Sequence, residues 1–470
     1  MTSAPTQTSP APDTEPTRGS GWRADAIAAF LALCLVAAAN LVITWGHWYS
    51  FYRIFAWAPP LYGYWHPHVG PGTPLVILLG AAVVVWGPGL AARLPWRRLL
   101  GLGYVAGVVW SVVVPLVDGW QRGVPARIAT GDEYLHDVPR VTDIPQFLRV
   151  FTSHILAGRP GSWTTHVSGH PPGATLVFVW LERIGLGGPN PAAVVCLLVG
   201  GLTMVAVPVT IRALGREDAA RAVVPFLVVL PGAAIAGVSA DWLFAGVSST
   251  GVALVAIGAV GLRAAKPRWP LRAVLTCLAA GVVLGFSIFL SYGLVLFALV
   301  PLAVVVLARS PRTIVPVVVG AAVVVGVFTA GGFWWLDGYH LVVQRYYQDV
   351  GRTRPYNYWV WANLAALVLI TGPAFVAGLR RGVVSAVGMV RSRSWDREIV
   401  VLALVAAAAV VVAGADESGL SKAETERIWL PFAVWLVAAT SLLPARQRRW
   451  WLLAQVVVAL VVKTLLWTQW

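Results

Sequence analysis

AVVPFLVVLPGAAIAGVSADWLFAGVSSTGVALVAIGAVGL, residues 222–262, carries a single charged side chain, Asp241. On each side of it lies an apolar run of about 20 residues, the length a helix needs to cross the hydrocarbon layer of a bilayer. The two runs, near 222–240 and 242–262, read as membrane spans that meet at Asp241. Outward from this stretch the pattern repeats near 24–45, 73–92, 99–117, 191–211, 273–290, 293–308, 313–332, 360–379, 398–413, 428–443 and 451–467, which makes about thirteen spans. Composition agrees with this. The chain has 470 residues, 58% hydrophobic and 12% charged, against about 25% charged in an ordinary soluble domain. So few charges cannot cover a water-facing surface of this size, and the mean hydropathy of +0.74 points the same way. A soluble enzyme, a disordered chain and a disulfide-stapled scaffold are excluded. The expected fold class is all-α, a polytopic membrane protein.

Residues 1–21, rich in Pro, Thr and Ser, read as a disordered cytoplasmic tail, and residues 22–470 as a single transmembrane domain. No cleavable signal peptide is evident, because the first apolar run is long enough to span. Cys34, Cys196 and Cys277 sit inside apolar runs without CxxC spacing, so they read as core- or lipid-facing residues and not as a redox or metal site.

Charge placement orients the chain. With the N-terminus inside, the short inner loops collect Arg212, Arg216 and Arg221, then Arg263, Lys266, Arg268 and Arg272, then Arg309 and Arg312, then Arg380 and Arg381, as the excess of Lys and Arg in cytoplasmic loops requires. The formal charge of +15 is thereby accounted for by membrane topology, and no nucleic-acid partner is implied. All eight histidines, His47 through His340, and most carboxylates fall on the outer side. A transport pathway would place ionisable groups within the spans. Here they gather at one face, which argues for an active site at the outer membrane interface.

Five outer segments are candidates for chemistry. The segment from Asp118 to Asn190 contains the adjacent acids Asp132 and Glu133, followed by Tyr134. Such a pair can hold a divalent ion, or one member can take a proton from an attacking hydroxyl; in most loops two acids are merely solvated. His170-Pro171-Pro172-Gly173 opens an apolar run too short to span, which fits an interfacial helix. Asp241 reads equally as a helix cap or as a functional acid on the same side as Asp132. The loop with His340, Arg345, Tyr346, Arg352 and Arg354 places guanidinium groups among aromatics at headgroup level, suited to a lipid-linked phosphate; the alternative is a plain aromatic belt. Glu424 and Arg427, three apart, suggest an intrahelical pair. His66-Pro67-His68 lies in an aromatic loop and reads as interfacial anchoring more than as a metal site.

The order of these features resembles the GT-C superfamily, membrane glycosyltransferases that use polyprenyl-phosphate sugars and that include protein O-mannosyltransferases, the aminoarabinose transferase of lipid A and arabinofuranosyltransferases. The resemblance covers residues about 99–300 best, with looser echoes at RYYQDVGRTRPYNYW (345–359) and SKAETERIWLPF (421–432). It implies a helical, juxtamembrane first catalytic loop, with Asp132 as the catalytic acid of that loop, Glu133 beside it, Asp241 as the second-loop acid and His170 opening the HPP segment. It further implies inverting sugar transfer at the extracytoplasmic face. Asp132 would be the base, and Glu133, Asp241 and His340 would orient groups or hold a metal. Arg345, Arg352 or Arg354 would meet the donor phosphate, and Tyr346 and Arg427 would line the substrate. The partners would be a polyprenyl-phosphate sugar donor, a glycan, lipid or protein acceptor, and membrane lipid; metal use is left open. Two features depart from the family pattern: the two extra spans within 24–92, and GFSIFLSYG (285–293) where many relatives carry a basic residue. A lipid-linked-sugar flippase and a polysaccharide polymerase or ligase are the alternative readings.

Overall fold

Inside a bilayer no water is available to backbone groups, so each apolar run must satisfy its own N–H and C=O groups, and a helix does so. The structure, a computed structural model, describes residues 21–45, 51–394 and 396–470. Residues 1–20 of the expected tail (1–21) and His47 lie outside the described residues.

In chain order, α1 is Trp22–Thr44, α2 Gly72–Arg93 and α3 Trp96–Val113. A region of single turns leads to the short α4, Pro172–Arg183. Helix α5 (Pro189–Gly201) runs into α6 (Thr203–Ala213), α7 (Glu217–Val228) into α8 (Pro231–Ala236), and α9 is Ala240–Ala264. There follow α10 (Leu271–Ser287), α11 (Leu299–Leu307), α12 (Ile314–Ala330) and α13 (Trp335–Gln348). The remainder is α14 (Tyr356–Thr371), α15 (Pro373–Ser392), α16 (Ile399–Glu417), α17 (Thr425–Ile428), α18 (Leu430–Leu436) and α19 (Arg448–Leu465). Nine helices among the described residues are long and apolar enough to cross a membrane, and 271–287, 292–307 and 430–442 are apolar but shorter. The chain is a multi-pass, helical membrane protein.

The difference from thirteen uniform spans comes from shortened and broken helices. The expected span 222–240 is interrupted between α7 and α8, where Pro231 restarts the helix. Side chains meet the carbonyls at the break: Gln455 Nε2 donates to Phe226 O (2.9 Å), and Trp110 Nε1 donates to Leu230 O (3.2 Å), which also accepts from Ala234 N (3.3 Å). The expected span 360–379 is cut at Gly372, whose φ of +83° suits glycine, and Pro373 opens α15. The last expected span ends at Leu465, after which β2 (Leu466–Thr468) pairs antiparallel with β1 (Gly63–Trp65).

Helices α7 and α8 are buried almost throughout, and α9 over most of its length. Helix α12 instead exposes Val315, Val318, Val319, Val323 and Val327, and α1 exposes Phe30 and Leu31. Faces of that kind are covered by lipid in a membrane protein. Helices α10 and α12 cross closely at Gly281 and Gly320, where any Cβ would run into the carbonyl of Val317 or Leu278; small residues at such crossings let backbones approach.

Helix α1 measures the bundle. Near its start the buried Asp25 accepts from Arg380 Nε (2.6 Å) and Arg381 Nε (2.7 Å); near its end Ala39 O accepts from Tyr358 Oη (2.7 Å). At 1.5 Å per residue these ties are about 20 Å apart. Residues 354–358 and residues 380–381 therefore belong to opposite ends of the bundle.

Candidate active site

The end of the bundle that holds residues 354–358 is where charge is buried. Ser239 caps α9, its Oγ accepting from Trp242 N (3.3 Å), which fixes Asp241 in the first turn. Asp241 Oδ2 accepts from Arg427 Nη1 at 2.7 Å. Arg427 lies on α17, and its Nη2 also donates to Glu424 Oε2 (3.0 Å) and faces His166 Nε2 (3.0 Å). Glu424 Oε1 in turn accepts from Arg354 Nη2 (3.1 Å) and Nη1 (3.2 Å). On the far side of His166, Nδ1 is 2.9 Å from Glu133 Oε1, within ion-pair range but off the hydrogen-bonding line. Asp241, Glu133, Arg354 and Arg427 are each no more than 5% exposed. Removing one partner from a buried pair costs about 3–5 kcal/mol. These groups are therefore an interlocked network and not a set of solvated surface charges.

Donor and acceptor capacity sets the His166 tautomer. A guanidinium only donates, so Nε2 is the acceptor and the ring proton sits on Nδ1, toward Glu133. The surrounding loop is positioned by Asp137, which accepts from Arg140 Nη1 (2.5 Å) and from Thr164 N (2.8 Å). Asp132 lies at the rim. Its side chain is exposed and accepts from Thr165 Oγ1 (2.7 Å), and its carbonyl accepts from His166 N (3.0 Å). Asp132 and Asp241 are thus joined through His166 and Arg427.

Burial alone would raise the Glu424 carboxyl, but the charges of Arg354 and Arg427 outweigh it and hold it at about 2. Burial would weaken the Arg427 guanidinium, yet Asp241, Glu424 and Glu133 keep it above its usual range. Burial pushes the His170 imidazole down to about 4, against the pull of Asp241. Burial also raises the Glu426 carboxyl, partly offset by its donors Trp470 Nε1 (3.0 Å) and Tyr62 N (2.8 Å).

The sequence-predicted residues divide. Glu133, Asp241, Arg354 and Arg427 come together. His170 adjoins them, its Nδ1 donating to His166 O (2.9 Å). Its neighbours Pro171 and Pro172 open α4, whose Ala174 N donates to Phe289 O (3.2 Å). A short helix is therefore present where one was expected, and it rests on the GFSIFLSYG segment. Tyr346 Oη accepts from Lys422 N (3.1 Å), which ties the 345–359 loop to the 421–432 loop. Arg345 faces Asp349 (3.7 Å), while Arg352 and His340 are exposed with no hydrogen bond from their side chains among the described residues.

The sequence reading did not single out His166, Lys422, Tyr62 or Trp470. Trp470 stacks on Tyr62 (5.2 Å), and the Arg427 guanidinium lies over its ring at 4.4 Å. The Glu424–Arg427 pair exists, with Arg427 buried and Glu424 partly exposed, and it is extended by Arg354. His68 is held by Asp118 (2.7 Å), which also pairs with Arg127 and with Lys463 (2.6 Å). Arg127 Nη1 donates to Trp470 O (2.6 Å), so this second network braces the segment that carries Trp470.

As arranged, the acids do not form a ligand set for a divalent ion. Glu133 faces His166, Asp241 is held by Arg427, and no three His, Cys, Asp or Glu side chains gather as metal ligands among the described residues. A cleft of about 490 Å³ lies at the far end of α7, lined by Trp96, Val209, Arg212 and Glu217 among others. It contains none of the acids above, so volume alone does not mark the site.

No protein-family model matches the chain, and no curated protein does either. Among solved structures, the oligosaccharyltransferase of Archaeoglobus fulgidus in complex with Zn and sulfate is similar at 15% identity and a TM-score of 0.47, covering 77% of this chain and 53% of that chain. The archaeal oligosaccharyltransferase AglB from the same organism, in complex with an inhibitory peptide and a dolichol-phosphate, is similar at 14% identity and a TM-score of 0.40, covering 74% and 50%. ArnT from Cupriavidus metallidurans in the apo state is similar at 15% identity and a TM-score of 0.29, covering 69% and 72%. The chain spans about half the length of the oligosaccharyltransferase chains it matches.

Proposed function

We propose that the chain is a membrane glycosyltransferase that moves a sugar from a polyprenyl-phosphate donor to an acceptor hydroxyl at the extracytoplasmic face. The observation that carries this reading is the buried network Asp241–Arg427–Glu424–Arg354, with Glu133 and His166 beside it and the exposed Asp132 at its rim. Two guanidiniums at one end of a helical bundle suit the phosphate of a lipid whose chain lies between helices.

In the reaction, the acceptor hydroxyl attacks the anomeric carbon. The new C–O bond forms as the bond from that carbon to the phosphate oxygen breaks. The hydroxyl proton passes to Asp132, whose carboxylate is bonded only by Thr165 among the described residues. The electron pair leaves with the polyprenyl phosphate, an adequate leaving group once Arg354 and Arg427 neutralise its charge. A single displacement inverts the anomeric centre. Glu133 orients His166, and His166 and Asp241 hold Arg427 in place. The placement of Arg380 and Arg381 at the opposite end supports an extracytoplasmic site under the positive-inside tendency.

The test is incubation of the purified protein with a panel of polyprenyl-phosphate sugars and measurement of the polyprenyl phosphate released. Asp132→Asn is expected to lower turnover at least about 100-fold, the scale of a lost general base, while donor binding persists. Full turnover in that variant would remove the proposed base, and no release from any donor would remove the reading.

A further inference from the structure

Between the buried guanidiniums of Arg354 and Arg427 lies one carboxylate, that of Glu424, with Oε1 on Arg354 and Oε2 on Arg427. Each arginine has a further anchor that does not depend on it. Arg354 Nη1 donates to Lys422 O (2.8 Å), and Arg427 Nη1 to Asp241 (2.7 Å). Each also keeps a buried Nε–H with no hydrogen-bond partner among the described residues. The cations are therefore fixed and under-satisfied, and buried donors in that condition are uncommon.

The carboxylate is the less settled member. The Glu424 side chain is 19% exposed, against 4% for Arg354 and 6% for Arg427. Its backbone is in the left-handed region at φ +63°, directly after Ala423 at φ +69°. Two non-glycine residues in succession there are strained, and such strain persists only where surrounding contacts hold it. The contacts holding this segment include the two ion pairs themselves.

We infer that Glu424 is an internal stand-in for the substrate's phosphate, displaced from between Arg354 and Arg427 when a phosphodiester binds. This rests on the glycosyltransferase reading above. A glycosyl phosphodiester carries one negative charge, as the carboxylate does, so the exchange leaves the charge of the buried network unchanged. The two guanidinium forks match phosphate oxygens at least as well as carboxylate oxygens, and the freed Ala423–Glu424 backbone relaxes. In the absence of donor, Glu424 keeps two buried cations compensated.

Two measurements test this, with the methyl ester of a polyprenyl phosphate, a singly charged phosphodiester, in detergent and inorganic phosphate as probes. In the unaltered protein, hydrogen–deuterium exchange of amides 423–428 is expected to rise several-fold on binding the lipid phosphate, because the Ala423–Glu424 backbone relaxes and Arg427 N and Ile428 N donate to Glu424 O, while Lys422 O stays on Arg354. Unchanged or slower exchange there under saturating lipid overturns the inference. In Glu424→Gln, which removes the competing charge at nearly constant shape, the lipid phosphate is expected to bind at least about tenfold tighter, and inorganic phosphate to compete more effectively than in the unaltered protein. Equal or weaker binding overturns it. If that variant does not fold, the exchange measurement on the unaltered chain decides. Lipid phosphate that binds with Glu424 unmoved ends this inference and leaves the transferase reading standing. Release of Glu424 on phosphate binding, with no sugar transferred from any donor, ends the transferase reading and leaves the anion site.

Discussion

At the residue scale the site turns on Arg427. It touches Asp241, Glu424 and His166 while lying over Trp470, so one side chain joins four separate parts of the chain. Lysine could not do this, because a point charge lacks the planar fork. His170, next to this network, yields a pH prediction. Its folded value is held at about 4 by burial, against 6.5 for a free imidazole. Between those values the unfolded chain binds a proton that the folded chain does not, so stability falls as pH drops from about 6.5 through about 4. Glu424, ordinarily near 4.5 and held at about 2, adds a second loss below about pH 4.5. The midpoint of thermal unfolding in detergent should therefore decline on acidification from pH 7, and His170→Gln should flatten the first part of that decline. An unchanged profile in the variant would assign the loss to other groups.

At the scale of elements, broken helices place the site. Helix α14 begins just after Arg354 and stops at Gly372, after which Pro373 starts α15. A Cβ at Gly372 would lie 2.9 Å from Gln455 Cγ, and Gln455 is the side chain that serves the open carbonyl at the end of α7. Gly372→Val combines a left-handed φ on a β-branched residue, a cost of roughly 1–3 kcal/mol, with displacement of that hydrogen bond. The expected result is a thermal midpoint several degrees lower and reduced transfer, because α14 sets the position of Arg354. An unaltered midpoint would show that the chain can bend here without glycine.

At the scale of the whole molecule, buried pairs tie the two ends of the bundle differently. At one end Asp25 clamps Arg380 and Arg381; at the other the acids and guanidiniums of the site enclose one another. The orientation proposed above is open to direct measurement in a chain whose Cys34, Cys196 and Cys277 have been replaced. A membrane-impermeant maleimide applied to intact cells should modify Arg159→Cys, on the exposed loop near the site, and leave Arg272→Cys, at the start of α10, untouched. The reverse pattern would put the site on the cytoplasmic side, where the proposed use of a lipid-linked donor loses its reason.

What the sequence by itself determined is the helical, membrane-embedded class, most helix positions, and a wider set of candidates in which Glu133, Asp241, Arg354 and Arg427 stand alongside Asp132, His170, His340, Arg345, Tyr346 and Arg352. Those follow from local composition, because lipid accepts only apolar, internally hydrogen-bonded segments and polar residues must then gather at segment ends. Tertiary structure alone decided which apolar runs break, since Leu230 O and Phe226 O are met by Trp110 and Gln455 from distant helices. It alone decided that Glu424 bridges Arg354 and Arg427, that His166 and Trp470 lie against Arg427, and that His340 and Arg352 are exposed with no side-chain hydrogen bond to this network among the described residues. Hydropathy records what each residue asks of its solvent. The partner of a buried charge depends on which helix ends meet, and that is settled only when the bundle closes.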